Sequence, residues 1–123
     1  MGDFRDLKVY KLPYKLTMEI FNVTKKFPKD ERYSLTDQIR RSLCSIPANI
    51  SEAYMKRRYP KHFISKLSDS DFELAETITC LDFSKDCNYI FNEEHERFIG
   101  GYKEVGRLMG GMINNRRSSY YKV

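Results

Sequence analysis

Residues 38–52, Gln-Ile-Arg-Arg-Ser-Leu-Cys-Ser-Ile-Pro-Ala-Asn-Ile-Ser-Glu, decide how this chain folds. Leu35, Ile39, Leu43, Ile46 and Ile50 recur at helical spacing into and through this stretch. Yet Pro47 stands inside it. A proline in a helix interior removes a backbone hydrogen bond and costs about 3 kcal/mol. A helix that keeps one uses the kink, or the carbonyl freed four residues earlier, here at Leu43. The stretch also carries adjacent arginines, Arg40 and Arg41, and a polar pair one turn apart, Asn49 and Glu52.

Three further helical blocks flank this one. Upstream, over residues 7–27, Val9, Leu12, Leu16, Ile20, Val23 and Phe27 form one apolar stripe. Asp6 is placed to cap its start. Pro13 implies that the helix begins near Tyr10 or bends there. Phe27-Pro28 closes the block, because a residue before proline avoids the helical region. The central block is expected over residues 30–58, ended by Tyr59-Pro60.

The third block, residues 61–88, carries Phe63, Leu67, Ser70, Leu74, Ile78 and Leu81 on one face. Ser70 and Ala75 are small enough for a neighbouring helix to come close. Asn92 is the expected cap of the fourth block, with Glu93 and Glu94 suited to a positive helix start. That block, residues 93–114, holds five of the six glycines. Gly106 and Gly110 share a face, which fits a contact between subunits, a tight crossing within the chain, or simply a weak helix. Four amphipathic blocks with short breaks predict an all-α, antiparallel, up-down-up-down four-helix bundle over residues 1–114. Residues 115–123 read as a basic, flexible tail.

The 123 residues carry a net charge of +5, which favours an anionic partner such as nucleic acid, phospholipid or an acidic protein. Hydrophobic residues make up 41%, enough for a globular core. No apolar run has the length of a membrane span or a signal peptide. Gly2 follows Met1, but Asp6 breaks the myristoylation pattern. Cys80 and Cys87, seven apart, would stand about 10.5 Å apart along a helix, too far for a disulfide. No C-x-x-C occurs, so three reduced cysteines and a cytoplasmic location are expected.

Candidate binding residues are the cations. Arg40 and Arg41 point about 100° apart on a helix, so they cannot share one partner. One is expected to reach Glu73 or Glu76 in the third helix. Lys56, Arg57, Arg58 and Lys61 form the densest basic cluster. Tyr54 and Tyr59 lie among them, a pattern that suits phosphate contact plus base stacking. The alternative is a solvated helix end whose cations complement the helix dipole. Arg116 and Arg117 extend the basic set into the tail. Gln38, Ser45, Pro47, Asn49, Glu52 and Glu73 read as structural, with Asn49 and Glu52 able to satisfy groups loosened by Pro47.

Catalysis has no visible footing. Three residues before His62 and His95 stand Tyr59 and Asn92, so the Glu-x-x-His pairs of a di-iron bundle are missing. No G-x-S-x-G, P-loop or H-E-x-x-H occurs, and no metal or cofactor is expected.

Several short motifs together resemble one family. They are F-x-x-L-x-V-Y at Phe4, Leu7, Val9 and Tyr10, and F-P-x-x-E at Phe27, Pro28 and Glu31. The strongest is L-x-x-Q-I-R-R-S-x-x-S-I-P-A-N-I-x-E, from Leu35 through Gln38, Ser45 and Pro47 to Glu52. Glu73, Leu74 and Glu76 add E-L-x-E. The chain is similar, over nearly its whole length, to the ribosomal-protein-like four-helix-bundle proteins encoded by intervening sequences of bacterial large-subunit rRNA genes. A related group is the accessory variability determinant of diversity-generating retroelements. The resemblance implies a ring-like homopentamer. In the related group it implies a basic pentamer that binds nucleic acid and partners a reverse transcriptase. The expectation is a non-enzymatic oligomer that binds RNA or other nucleic acid through basic patches. The alternative is a protein-interaction adaptor, such as an accessory subunit of a reverse transcriptase.

Overall fold

In the computed structural model, which describes residues 2–115, each apolar stripe becomes one helix. These are α1 (Lys8–Thr24), α2 (Leu35–Met55), α3 (Pro60–Asp86) and α4 (Asn92–Asn114). No strand occurs among the described residues. The tail from residue 116 onward, with Arg116 and Arg117, lies outside them.

The helices depart from expectation in several places, α1 for one ending at Thr24, three residues short of Phe27. Asp6 does not cap α1; it lies in a short 3-10 turn (Phe4–Asp6), and Leu7 occupies the cap position. Pro13 neither delays nor breaks α1 and packs in the interior. α2 stops at Met55, before Arg58; a separate turn follows, closed by the Tyr59 N–H on Lys56 O at 2.9 Å, and Tyr59 is extended as a residue before proline should be. Asn92 is the first residue of α4, not its cap; Glu94 reaches back to accept the Phe91 N–H at 2.8 Å.

Proline and asparagine do the turning. Pro60 opens α3, where its missing N–H leaves no helical bond unmade. Asn88 ends it in the left-handed region, at φ 62°. The Tyr89 N–H then reaches Ser84 O at 2.8 Å and the Asn88 N–H reaches Lys85 O at 2.9 Å, a Schellman closure.

Contacts between helices give the directions. Gln38 meets Glu76, Ser70 meets Ile46, and Lys66 meets Glu52, so α2 and α3 are antiparallel. Arg40 meets Thr24 and Thr17 meets Leu43, so α1 opposes α2. His95 meets Asp82 across the α3–α4 turn. The α2–α3 pair is the most extensive, and α1 closes the bundle against α4. Up-down-up-down order follows.

Phe63, Leu67, Phe98, Tyr102, Val105 and the Ile39–Leu43–Ile46–Ile50 stripe fill the core. Between α2 and α3 the filling is partly hydroxyl. Ser70 donates to Ile46 O at 3.1 Å, Ser42 to Ile39 O at 3.0 Å, and Thr77 lies 2.8 Å from the Ser42 hydroxyl. Ala75, in contrast, faces solvent and admits no neighbour.

The glycines of α4 divide into two kinds. A Cβ at Gly101 would stand 2.8 Å from Leu16 Cδ2, so this glycine makes the close α1–α4 approach. At Gly106 and Gly110 a Cβ meets nothing within 4 Å, which removes a tight crossing inside the chain as their explanation.

Candidate nucleic-acid interface

Pro47 leaves the Leu43 carbonyl without its intrahelical donor, and Thr17 of α1 supplies one at 3.0 Å. Asn49 is not the compensating group; its amide donates to Ser45 O at 2.9 Å. Glu52 instead pairs with Lys66 at 3.2 Å. Ser45 returns its hydroxyl to Arg41 O, and Glu73 offers its carbonyl to Thr77. Of the residues read as structural, Ser45 and Asn49 bond within α2, while Gln38 and Glu52 reach side chains of α3.

The expected ion pair between an arginine and helix three does not form. Arg40 turns to α1, donating from Nε to the Thr24 hydroxyl at 2.9 Å, with its guanidinium 4.3 Å from the Phe21 ring centroid. Gln38 takes Glu76 at 2.8 Å. Arg41 is exposed.

The structure separates the other candidates. Lys56, Arg57, Arg58 and Lys61 lie at the α2–α3 turn, about 24 Å of helix from Arg40. Lys56, Arg58 and Lys61 are exposed. Arg57 is held back: its guanidinium sits 4.1 Å from the Tyr54 ring centroid and donates to Tyr54 O at 2.9 Å. Tyr59 is exposed beside them and Tyr54 half-buried. No carboxylate occurs from residue 53 to residue 68.

At the opposite end, the turn from α1 to α2 holds cations that the sequence reading did not select. Lys25, Lys29 and Arg32 join Arg40 around a cavity of about 380 Å³. Tyr33, 87% exposed, stands at its edge. Lys25 to Arg32 also contains Asp30 and Glu31, so no basic run marks the site in the sequence. Only the packing of α2 on α1 brings Arg40 to the others. Glu31 is engaged elsewhere: the Ser34 hydroxyl and then the Tyr89 phenol donate to it and hold its carboxyl below the usual range. The same contact pushes Tyr89 up to about 12.

Among the described residues no group of His, Cys, Asp and Glu side chains is placed to hold a metal ion. No described helix is long and apolar enough to cross a membrane. Cys44, Cys80 and Cys87 are free thiols.

The fold and its cationic turns define an all-helical, antiparallel four-helix-bundle protein. Its family is recognisable: the model of the 23S rRNA-intervening sequence protein family matches residues 5–111, and the chain belongs to that family. It is similar to the crystal structure of a protein of unknown function from the S23 ribosomal protein family of Bacteroides thetaiotaomicron VPI-5482. That chain is 28% identical with a TM-score of 0.76, over 85% of this chain and 97% of the other. No curated protein matches.

Proposed function

We propose that this protein is a non-enzymatic, cytoplasmic scaffold that binds RNA through basic patches repeated around a homo-oligomer, by resemblance a pentamer. One observation supports it most. The α2–α3 turn presents Lys56, Arg58 and Lys61 to solvent, with Tyr59 among them and no carboxylate over residues 53–68. Such a surface attracts phosphate with little regard to sequence. Repetition in every subunit would turn a modest patch into a strong field. Gly106 and Gly110, open to solvent in the single chain, suit a close subunit contact.

Light scattering of the purified protein with a structured RNA tests this reading. An oligomer that gains RNA at low salt, and loses it with a log–log slope of about −0.7 per phosphate contacted on single strands, supports it. A monomer, or an oligomer indifferent to RNA at every salt, overturns it. The triple variant Lys56→Ala, Arg58→Ala, Lys61→Ala locates the surface. A second reading, a protein adaptor, rests on the exposed Phe72 and Phe83 of α3. Loss of a protein partner with RNA binding intact would favour that reading.

A further inference from the structure

We propose that the cavity between the end of α1 and the start of α2 is a binding site for the phosphate of a nucleotide, separate from the α2–α3 turn. Four cations, Lys25, Lys29, Arg32 and Arg40, converge on it. None of the four is salt-bridged to a carboxylate among the described residues. One carboxylate, Asp37, is on the wall, so cations dominate.

Arg40 is already fixed. Thr24 holds its Nε and Phe21 supports its plane, so little rotamer freedom remains to be lost on binding. The cavity also contains a group that lacks a partner. Thr36 lines it, is 8% exposed, and its hydroxyl makes no hydrogen bond within the chain. A buried hydroxyl left unsatisfied is costly, and it gains a partner only when the wall opens far enough for a phosphate oxygen or its water to reach it.

The helix adds its own field. α2 starts at this cavity and runs 21 residues; Ser34 gives its hydroxyl to Glu31, whose carboxylate also accepts the Leu35 N–H. Thr36 and Asp37, of its first turn, line the site. Tyr33, exposed on the rim, offers a face for a base. About 380 Å³ accommodates a phosphate and the sugar attached to it.

The test is amide NMR of the full chain titrated with uridine 5′-monophosphate, inorganic phosphate and uridine. Saturable shifts at residues 34–37 with the nucleotide, weaker shifts with phosphate, and none with uridine are expected. The variant Lys25→Gln, Lys29→Gln, Arg32→Gln alters only exposed side chains and leaves the Arg40 contacts in place; it should weaken nucleotide binding about tenfold or more. Unshifted amides at residues 34–37, or equal binding by the variant, would overturn the proposal. Oligouridine with and without a 5′-phosphate distinguishes the source: dependence on the end group supports a terminal phosphate, and equal binding supports a backbone phosphate. Nucleotide binding retained in the Lys56→Ala, Arg58→Ala, Lys61→Ala protein, with RNA lost, would separate this site from the surface proposed above.

Discussion

Thr17 Oγ1 donates to the carbonyl oxygen of Leu43 at 3.0 Å, and that carbonyl is the one Pro47 strips of its helical partner. A gap in one helix is thus filled from another. Thr17→Val should cost about 1–3 kcal/mol, since it leaves a buried carbonyl unsatisfied. In a Pro47→Ala background, where residue 47 regains an N–H, the same change should cost less. A double-mutant cycle by urea denaturation measures the coupling; strict additivity would refute it.

Tyr102 presents the opposite case. Its hydroxyl is fully buried with no partner that satisfies hydrogen-bond geometry. Burial pushes the phenol above its ordinary range, and the nearby Thr17 hydroxyl opposes part of that shift. Tyr102→Phe is therefore expected to be neutral, or stabilising by up to about 1–3 kcal/mol. A clear drop in the urea midpoint would show that the hydroxyl is satisfied after all.

The two kinds of glycine should respond with opposite signs. Gly101→Ala drives a methyl into the buried Leu16 side chain and should cost about 1–3 kcal/mol. Gly106→Ala and Gly110→Ala meet no atom of the chain and should gain roughly 0.5–1 kcal/mol each in the isolated fold. If these two glycines face another subunit, the same variants will lower the oligomer's mass in light scattering while raising the melting temperature of the monomer.

The Glu31–Tyr89 hydrogen bond, 2.7 Å long, ties the α1–α2 turn to the α3–α4 turn, and two pH limits follow: an acid one set on Glu31 by the Ser34 hydroxyl and then by Tyr89, and an alkaline one set on Tyr89 by Glu31. Glu31 titrates below its unfolded value, so its contribution is present above about pH 4.5 and fades as pH falls through the folded value. Tyr89 titrates at about 12, above the ordinary value of 10, so its contribution is full below pH 10 and is lost between 10 and 12. In that upper window the folded protein holds a proton the unfolded chain has released, hence the fall. Tyr89→Phe should remove Tyr89's share of the alkaline fall, with Cys80 and Tyr102 keeping theirs, read as the difference in urea midpoint between the two proteins across pH.

Thiol labelling gives a separate check of the packing. Cys80 is buried and its thiol is pushed up to about 11, chiefly by burial and secondarily by Glu76; Cys44 and Cys87 are exposed. At pH 8 two thiols should react promptly, and the third only at the rate of opening. Prompt reaction of all three would contradict the placement of α3.

Periodicity made the helices legible, because burial in a bundle is itself periodic: Leu43, Ile46 and Ile50 had to share a face. Even the freed Leu43 carbonyl could be foreseen from Pro47. The donor could not, since Thr17 is far away in sequence and its role depends on how α1 is rotated. The partners of Arg40 were missed for the same reason. A 100° separation says that two arginines diverge, not which neighbour each finds. Helix ends were less readable than helix faces, as Asn92 and Phe91 show, because a carboxylate one turn inward can do the work of a cap. The cavity cations escaped notice because Asp30 and Glu31 interrupt them.

The hydroxyl-bonded seam between α2 and α3 also bears on the order in which the chain assembles. Only residues 56–59 separate these helices, so closing the hairpin costs little chain entropy. Ser70 and Thr77 must meet Ile46 and Ser42, which fixes the hairpin's alignment early and penalises a slip by one turn. α1 and α4 come from the far ends of the chain and meet last. φ-values should accordingly be high at Ile46 and Leu67 and low at Ile20 and Val105, giving a nucleus at the chain's centre and a late-closing outer pair.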